Sequence, residues 1–151
     1  LRDQPNIEVV VPKSWFYTEN IAGHEFFFAH GDNIRGFSGF PWYDAQRFTS
    51  SMAQVMTAQH LPYPEYWCFG QFHQTTSAQL SYGEWIFTGS WKGVDEYALG
   101  KLRTGTPPAQ QFFGVHSRKG VSFRYPVVLS EADPNVQDRY LEVADPDWSP
   151  S

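Results

Sequence analysis

The spacing of hydrophobic positions predicts several short strands around one amphipathic helix. Two apolar runs, Glu25–Ala29 (EFFFA) and Tyr66–Gly70 (YWCFG), are nearly continuous, which is typical of strands buried on both faces. Between them, Tyr43–Gln59 places apolar residues three and four positions apart. This spacing predicts a helix with one apolar stripe, formed by Phe48, Met52, Val55 and Met56.

Further strands follow from β-branched and alternating residues. Ile7–Val11 is a β-branched run that ends at a proline, and Trp15–Thr18 is a second short candidate. Turn residues separate two pairs of apolar segments and predict two hairpins: Ala78–Tyr82 with Glu84–Thr88, and Gln111–Val115 with Val121–Val128. Val121, Phe123 and Tyr125 alternate with polar residues, so we expect their face of the last strand to be buried.

The length of 151 residues favours a single folded domain. Residues 1–129 carry all of the predicted strands and the helix. From Ser130 onward, prolines interrupt the segment and six carboxylates are accompanied by one basic residue, Arg139; the acidic positions are Glu131, Asp133, Asp138, Glu142, Asp145 and Asp147. We therefore expect residues 130–151 to form an acidic, proline-containing surface tail.

Composition and charge exclude several classes of protein. Aromatic residues make up 18% of the chain, far more than a disordered protein contains. The net charge of −5 argues against a strong nucleic-acid-binding patch, and no apolar run approaches the roughly 20 residues of a membrane helix. The single cysteine, Cys68, excludes an internal disulfide and is consistent with a reducing compartment. The chain begins at Leu1, so a missing upstream segment stays open.

A histidine follows each of the two buried strands. His30 comes directly after EFFFA, and His73 comes shortly after YWCFG. Because ligands of α/β sheets bind outside the carboxyl ends of the strands, two imidazoles at that edge could bind one metal ion or two. The alternative is that both are loop residues which only form hydrogen bonds. Arg35 is open in the same way, either to a phosphate or to an acidic side chain.

These residues resemble two motifs of the calcineurin-like metallophosphoesterases. Ala29–Asn33 (AHGDN) resembles the fourth motif, a histidine–glycine pair after a hydrophobic strand, and Gly70–His73 (GQFH) resembles the fifth, normally Gly-His-x-His. Downstream, Gly89–Gly93 and Asp95–Gly100 resemble a branch that is mainly phage and bacterial. The resemblance covers about residues 7 to 129.

The resemblance implies a fold and a chemistry. The fold, of α+β or α/β class, is a mixed β-sheet sandwich with flanking helices, of which residues 1–129 would form the C-terminal half. The family's site holds two divalent metals, often manganese, iron, zinc or nickel, which activate a hydroxide against a phosphate ester. His30 would bind the second metal and His73 the first, while Asp32, Asn33 and Arg35 would contact the phosphate or orient the ligands.

The sequence departs from the family at two points. Gln71 replaces the first histidine of the fifth motif, and an amide is a poorer ligand for transition metals than an imidazole. The family's earlier motifs contain Asp-x-His and Asn-His, and this chain contains neither. We therefore expect one metal ion or none in the isolated chain. A second protein chain or a missing N-terminal segment would complete the site. The sheet edges that the missing half leaves unpaired also favour a protein partner or self-association into a homo-oligomer.

Two functions follow as hypotheses. The first is metal-dependent hydrolysis of a phosphate ester, completed by motifs that these residues lack, in the cytoplasm of a bacterial host. The second is a catalytically inactive structural or interaction protein derived from the same fold, such as a component of a phage particle. Loss of metal on substitution of His30 or His73 would support the enzyme.

Overall fold

The computed structural model describes residues 6–35, 40–91 and 107–129. Within these ranges seven strands and one helix follow each other along the chain: β1 Phe16–Ile21, β2 His24–Ala29, α1 Trp42–Ala58, β3 Tyr66–Phe69, β4 Thr76–Leu80, β5 Gly83–Phe87, β6 Ala109–His116 and β7 Gly120–Val128. The predicted tail, 130–151, and the residues 92–106 lie outside the described part.

The first five strands form one mixed sheet in the order β1-β2-β3-β5-β4. β2, β3 and β5 are parallel neighbours, whereas β1 and β4 pair antiparallel at the two sides. Helix α1 connects β2 to β3, as a parallel pair requires. Strands β6 and β7 form a separate antiparallel hairpin. The expected α+β architecture is therefore confirmed, with a five-stranded sheet as its centre.

Both faces of this sheet are buried, because side chains alternate along each central strand. One face packs against α1 through a cluster that contains Phe27, Trp67 and Phe87. The opposite face packs against the β6–β7 hairpin through a second cluster that contains Phe26 and Tyr66. This double burial explains why β2 and β3 read as continuous apolar runs.

Polar contacts fix the β6–β7 hairpin to the sheet. The backbone N–H of Val121 donates to the hydroxyl of Tyr66 at 2.9 Å, and the guanidinium of Arg124 pairs with the mostly buried carboxylate of Glu84. The side-chain amide of Gln111 donates to the carbonyl of Thr76 at 3.0 Å. The hairpin is thus held across the sheet by hydrogen bonds as well as by apolar packing.

Three sequence-based expectations are wrong. Residues 7–11 form no strand, since β-propensity without a neighbouring strand to pair with gives none. Phe123 and Tyr125 are 51% and 65% exposed, because β7 turns the opposite face, with Arg124, toward the sheet. Val55 is also exposed, whereas the other three residues of the predicted stripe, Phe48, Met52 and Met56, do pack against the core cluster, alongside the buried Ala45 and Thr49.

No helix in the described ranges is long and apolar enough to cross a membrane.

The predicted helix and both predicted hairpins are present, with ends shifted by a few residues. The predicted strand at Trp15–Thr18 corresponds to β1. Patterns of apolar residues therefore located these elements well.

His24 should make the stability of the fold depend on pH. Its Nδ1 atom lies 2.9 Å from Oε2 of Glu65 and its ring packs edge-on against Tyr66. The hydrogen bond to Glu65 raises the pKa of His24 above 6.5 against the opposing effect of burial, and the backbone at His116 and Ser117 raises it further. A raised folded-state pKa means that this stabilisation is complete below the unfolded value and is lost as the pH rises through the folded value.

We therefore expect His24→Gln to reduce the free energy of unfolding more at pH 6 than at pH 8.5, measured by urea titration at both values. Glu65→Gln provides the control background, in which the effect of His24→Gln should change less with pH, because the backbone at His116 and Ser117 alone then raises the pKa of His24. A wild-type excess of stability that grew toward high pH would contradict the pairing.

Candidate functional site

The parallel strands β2 and β3 bring the two predicted motifs together at one edge of the sheet. The backbone N–H groups of Gly70 and Gln71 both donate to the carbonyl oxygen of His30, at 2.9 and 2.8 Å. The imidazole of His30 lies over Gly70, where a Cβ atom would be 3.8 Å from Nδ1. His30, at the end of β2, is therefore hydrogen-bonded directly to the segment that follows β3.

The loop after His30 is held in place by the buried side chain of Ile34. The N–H of Ile34 donates to the carbonyl oxygen of Gly31 at 3.0 Å, which closes a tight turn over Asp32 and Asn33. Ile34 is buried in the cluster beneath α1, while His30 and Asp32 are exposed. Burial of Ile34 thus fixes the loop backbone, while the side chains of His30 and Asp32 reach solvent.

His73 has an unusual backbone conformation. Its φ angle is +53°, in the left-handed region that non-glycine residues seldom occupy, although histidine tolerates it better than most. The residue is half-buried and comes three positions after Gly70. Strained residues cluster at functional sites, but His60 has nearly the same angle, so the angle by itself assigns no role to His73.

The remaining predicted residues lie in a different place. Asn33 and Arg35 line a cavity of about 300 Å³ at the start of α1, together with Asp44, Arg47, Phe48 and Ser51. Among the residues that the structure describes, none lines both this cavity and the one beside His30. The structure therefore places Arg35 in a second pocket, where the predicted alternatives of an anion or an acidic partner both stay open.

Sequence reasoning missed Arg47, which lines the same cavity as Arg35. The Arg47 guanidinium approaches the carboxylate of Asp44 at 3.7 Å, one helical turn earlier. The spacing along the helix could have indicated it. A residue three positions after Asp44 shares the same face of the helix, so it lines the same cavity.

The cavity beside His30 has a volume of about 370 Å³ and opens at the carboxyl ends of β2, β3 and β5. Its lining residues include the aromatic Trp15, Phe16, Tyr17, Phe28 and Phe69 and the polar Ser14, His30 and Thr88. Cys68 also lines it, but burial raises the pKa of this thiol to about 12, so it is not a nucleophile at neutral pH.

The donor set fits only part of a metal site. A structural or catalytic zinc site uses three or four protein ligands, and the motifs supply two imidazoles and the weaker amide of Gln71. Within residues 6–35, 40–91 and 107–129, no group of three or more histidines, cysteines and carboxylates is placed to hold a metal ion. Further ligands would have to come from outside these ranges.

Comparison with known proteins finds similarity in structure alone. No protein-family model and no curated sequence matches the chain. The structure of Vps29 from Entamoeba histolytica in complex with Zn²⁺ is similar with a TM-score of 0.51 and 12% identity, over 78% of this chain and 56% of that chain. Vps29 from Cryptosporidium parvum gives a TM-score of 0.48 and 12% identity, over 78% and 57%.

The chain spans a little over half the length of the Vps29 structures it resembles. At 12% identity the first of these likenesses establishes the fold and nothing finer. Vps29 has a calcineurin-like metallophosphoesterase fold. The described part of this chain therefore has a mixed α+β fold of the calcineurin-like metallophosphoesterase type.

Proposed function

We propose that this chain is a metallophosphoesterase-like protein that binds a divalent transition metal through His30 and His73 and holds a phosphate ester beside it. The observation that carries the proposal is the pair of hydrogen bonds from Gly70 and Gln71 to the carbonyl of His30, which joins the two motif segments. The fold supports it, and Vps29 of Entamoeba histolytica is known in complex with Zn²⁺.

The described donors make the metal site weak. Neutral imidazoles at positions 30 and 73 would be the strong ligands, and the amide oxygen of Gln71 would be a weak third. A bound metal would supply Lewis-acid activation of a phosphate ester and of water. Because the donors fit only part of a site, the proposal for these residues stops at binding, and a second chain or further residues of this one would supply the missing carboxylates.

Metal titration of the full chain tests this proposal. By isothermal titration calorimetry, we expect His30→Asn and His73→Asn each to lower the affinity for Zn²⁺ at least tenfold, about 1.4 kcal/mol. Asparagine is chosen at position 73 because it tolerates left-handed backbone, so the loss reports the imidazole and not strain. Gln71→His should raise the affinity at least tenfold, since it restores a third imidazole.

His60→Asn is the matched control for the histidine variants. The φ angle of His60 is +55°, nearly that of His73, and the residue lies in the loop between α1 and β3. We expect its Zn²⁺ affinity to equal that of the wild type. Equal affinity in all five proteins, with folding verified by circular dichroism, would overturn the proposed ligands.

Hydrolysis is measured separately, with bis(p-nitrophenyl) phosphate and Mn²⁺. Because these residues supply only part of a metal site, we expect any turnover to be slow in the wild type, faster in Gln71→His and lost in His30→Asn. Metal binding that follows the expected order without any turnover in Gln71→His would leave a metal-binding protein that is not a hydrolase.

A further inference from the structure

We infer that a polar cavity at the amino ends of the parallel strands binds a small polyhydroxylated acid, of the class of the sugar acids. The cavity has a volume of about 590 Å³, within the range of small-molecule sites. Leu80 and Val121 are the only aliphatic side chains among its described lining residues, so it suits a ligand without a large apolar surface. It lies where β3 and β5 begin and β4 ends, whereas His30 follows the carboxyl end of β2. The inference therefore concerns a second site and does not rest on the proposed metal site.

One wall of the cavity is a row of side chains across three strands. Glu84 of β5 pairs in register with Tyr66 of β3 on one side and with Gln79 of β4 on the other. Because residues paired in register point to the same face of a sheet, these three side chains share the face that packs against the β6–β7 hairpin, where Tyr66 lies. Ser77, two positions before Gln79, is on this face as well. The sheet thus turns polar groups toward the hairpin at this end.

The β6–β7 hairpin supplies the other wall. Lys119, Val121 and Arg124 line the cavity from this side. The N–H of Val121 donates to the hydroxyl of Tyr66 at 2.9 Å, and the guanidinium of Arg124 pairs with the carboxylate of Glu84. These two contacts fix the hairpin against the row, so the cavity is formed before a ligand arrives and binding needs little further ordering.

The ion pair between Glu84 and Arg124 suits neighbouring hydroxyl groups. The Glu84 side chain is only 11% exposed, and burial of an ion pair costs desolvation that a close-packed apolar pair would avoid. Arg124 contacts Oε2 of Glu84, and no donor among the described residues reaches Oε1. A carboxylate acceptor and a guanidinium donor therefore lie side by side. Of two neighbouring hydroxyls on a ligand, one can donate to Oε1 while the other accepts from Arg124.

The charges that line the cavity leave one cation without a counter-ion. Glu84 is paired with Arg124, and Glu65 is hydrogen-bonded to His24, whose Nδ1 lies 2.9 Å from Oε2. For Lys119, no carboxylate in the part of the chain that the structure describes lies within ion-pair distance. A ligand with a single carboxylate would supply that counter-ion, and the neutral polar groups of β4 would bind its remaining hydroxyls.

The test compares D-glucuronate with D-glucose, which has a hydroxymethyl group in place of the carboxylate. Both are titrated into the full chain by isothermal titration calorimetry without added metal. We expect glucuronate to bind at least about threefold more tightly, the effect of one exposed ion pair. Lys119→Gln should abolish this preference. Gln79→Ala should weaken the binding of both sugars by a similar factor, because it removes a group that forms hydrogen bonds with hydroxyls.

Arg118→Gln is the matched control for Lys119→Gln. Arg118 precedes Lys119 in the same turn, is exposed as Lys119 is, and is not among the described residues that line the cavity. The substitution removes the same charge, so the preference for glucuronate should be kept. Lys119 and Gln79 are both exposed, and thermal unfolding establishes that the variants are folded.

The other outcomes overturn the inference. Equal affinities for glucose and glucuronate in the wild type would make the ligand a neutral sugar. Glutamate bound more tightly than glucuronate, with a loss in Lys119→Gln, would identify a free amino acid as the ligand. No binding of any of the three at about 10 mM would leave the Glu84–Arg124 pair as a support of the hairpin alone. Binding that neither Lys119→Gln nor Gln79→Ala weakens would place the ligand elsewhere on the chain.

Discussion

Replacing Phe27 by alanine should lower the free energy of unfolding by about 3–5 kcal/mol. Phe27 is completely buried at the centre of the cluster between the sheet and α1. Its ring lies 4.8 Å from that of Trp67 and stacks at 5.2 Å on Phe16, by ring centroids. Removal of a buried phenyl group loses its transfer energy and leaves a cavity that these neighbours cannot fill without moving.

Urea unfolding followed by circular dichroism measures this loss. Phe123→Ala provides the control, since the ring of Phe123 is on the outer face of β7 and is half-exposed. We expect a change within about 0.5 kcal/mol there, as for other surface substitutions. Similar losses at both positions would show that the two faces of the structure are assigned incorrectly.

Replacing Gly83 by alanine should cost at least about 3 kcal/mol, a loss as large as that of a core ring. A Cβ atom at Gly83 would lie 1.9 Å from the carbonyl oxygen of Glu65 and 2.8 Å from its carbonyl carbon. This carbonyl cannot easily yield, because it accepts the hydrogen bond of Glu84 N–H at 2.8 Å at the start of the β3–β5 pair. The substitution would therefore force the parallel strands apart.

Gly23→Ala distinguishes the collision from backbone strain. Gly23 has a φ angle of +91°, so alanine is strained there as well, but a Cβ atom would have no neighbour within 4 Å. We expect a loss of about 1–2 kcal/mol from strain alone. Thermal and urea unfolding of both variants give the comparison. Equal losses would mean that Gly83 is required only for its backbone angle.

The elements that the sequence predicted correctly are those whose pattern is local. EFFFA and YWCFG became β2 and β3, and Tyr43–Gln59 became α1 with its start one residue earlier. The errors concern pairing in three dimensions. Ile7–Val11 has strong β-propensity, yet no described strand lies beside it, and propensity cannot show that. The outward turn of Phe123 and Tyr125 depends on which face of β7 meets the sheet.

Part of the candidate site was also predictable. The placement of His30 at a strand end beside Gly70 followed from two apolar runs and the rule for parallel sheets. The separation of Arg35 from His30 did not, because it depends on the course of the loop before α1. The left-handed backbone of His73 has no sequence signature. Assignment to a phage or bacterial branch stays a prediction, since no family model or curated sequence matches the chain.

The strand order has a consequence for how this chain reaches its folded state. β1 with β2, β4 with β5, and β6 with β7 are joined by short turns, so each pair can form early and locally. β3 alone pairs only with strands that are distant along the chain, Phe26 with Tyr66 on one side and Tyr66 with Glu84 on the other. Such non-local parallel pairing is slow. Until β3 inserts, the apolar edges of β2 and β5 are open to intermolecular pairing, and that interval is when the chain is most prone to aggregate.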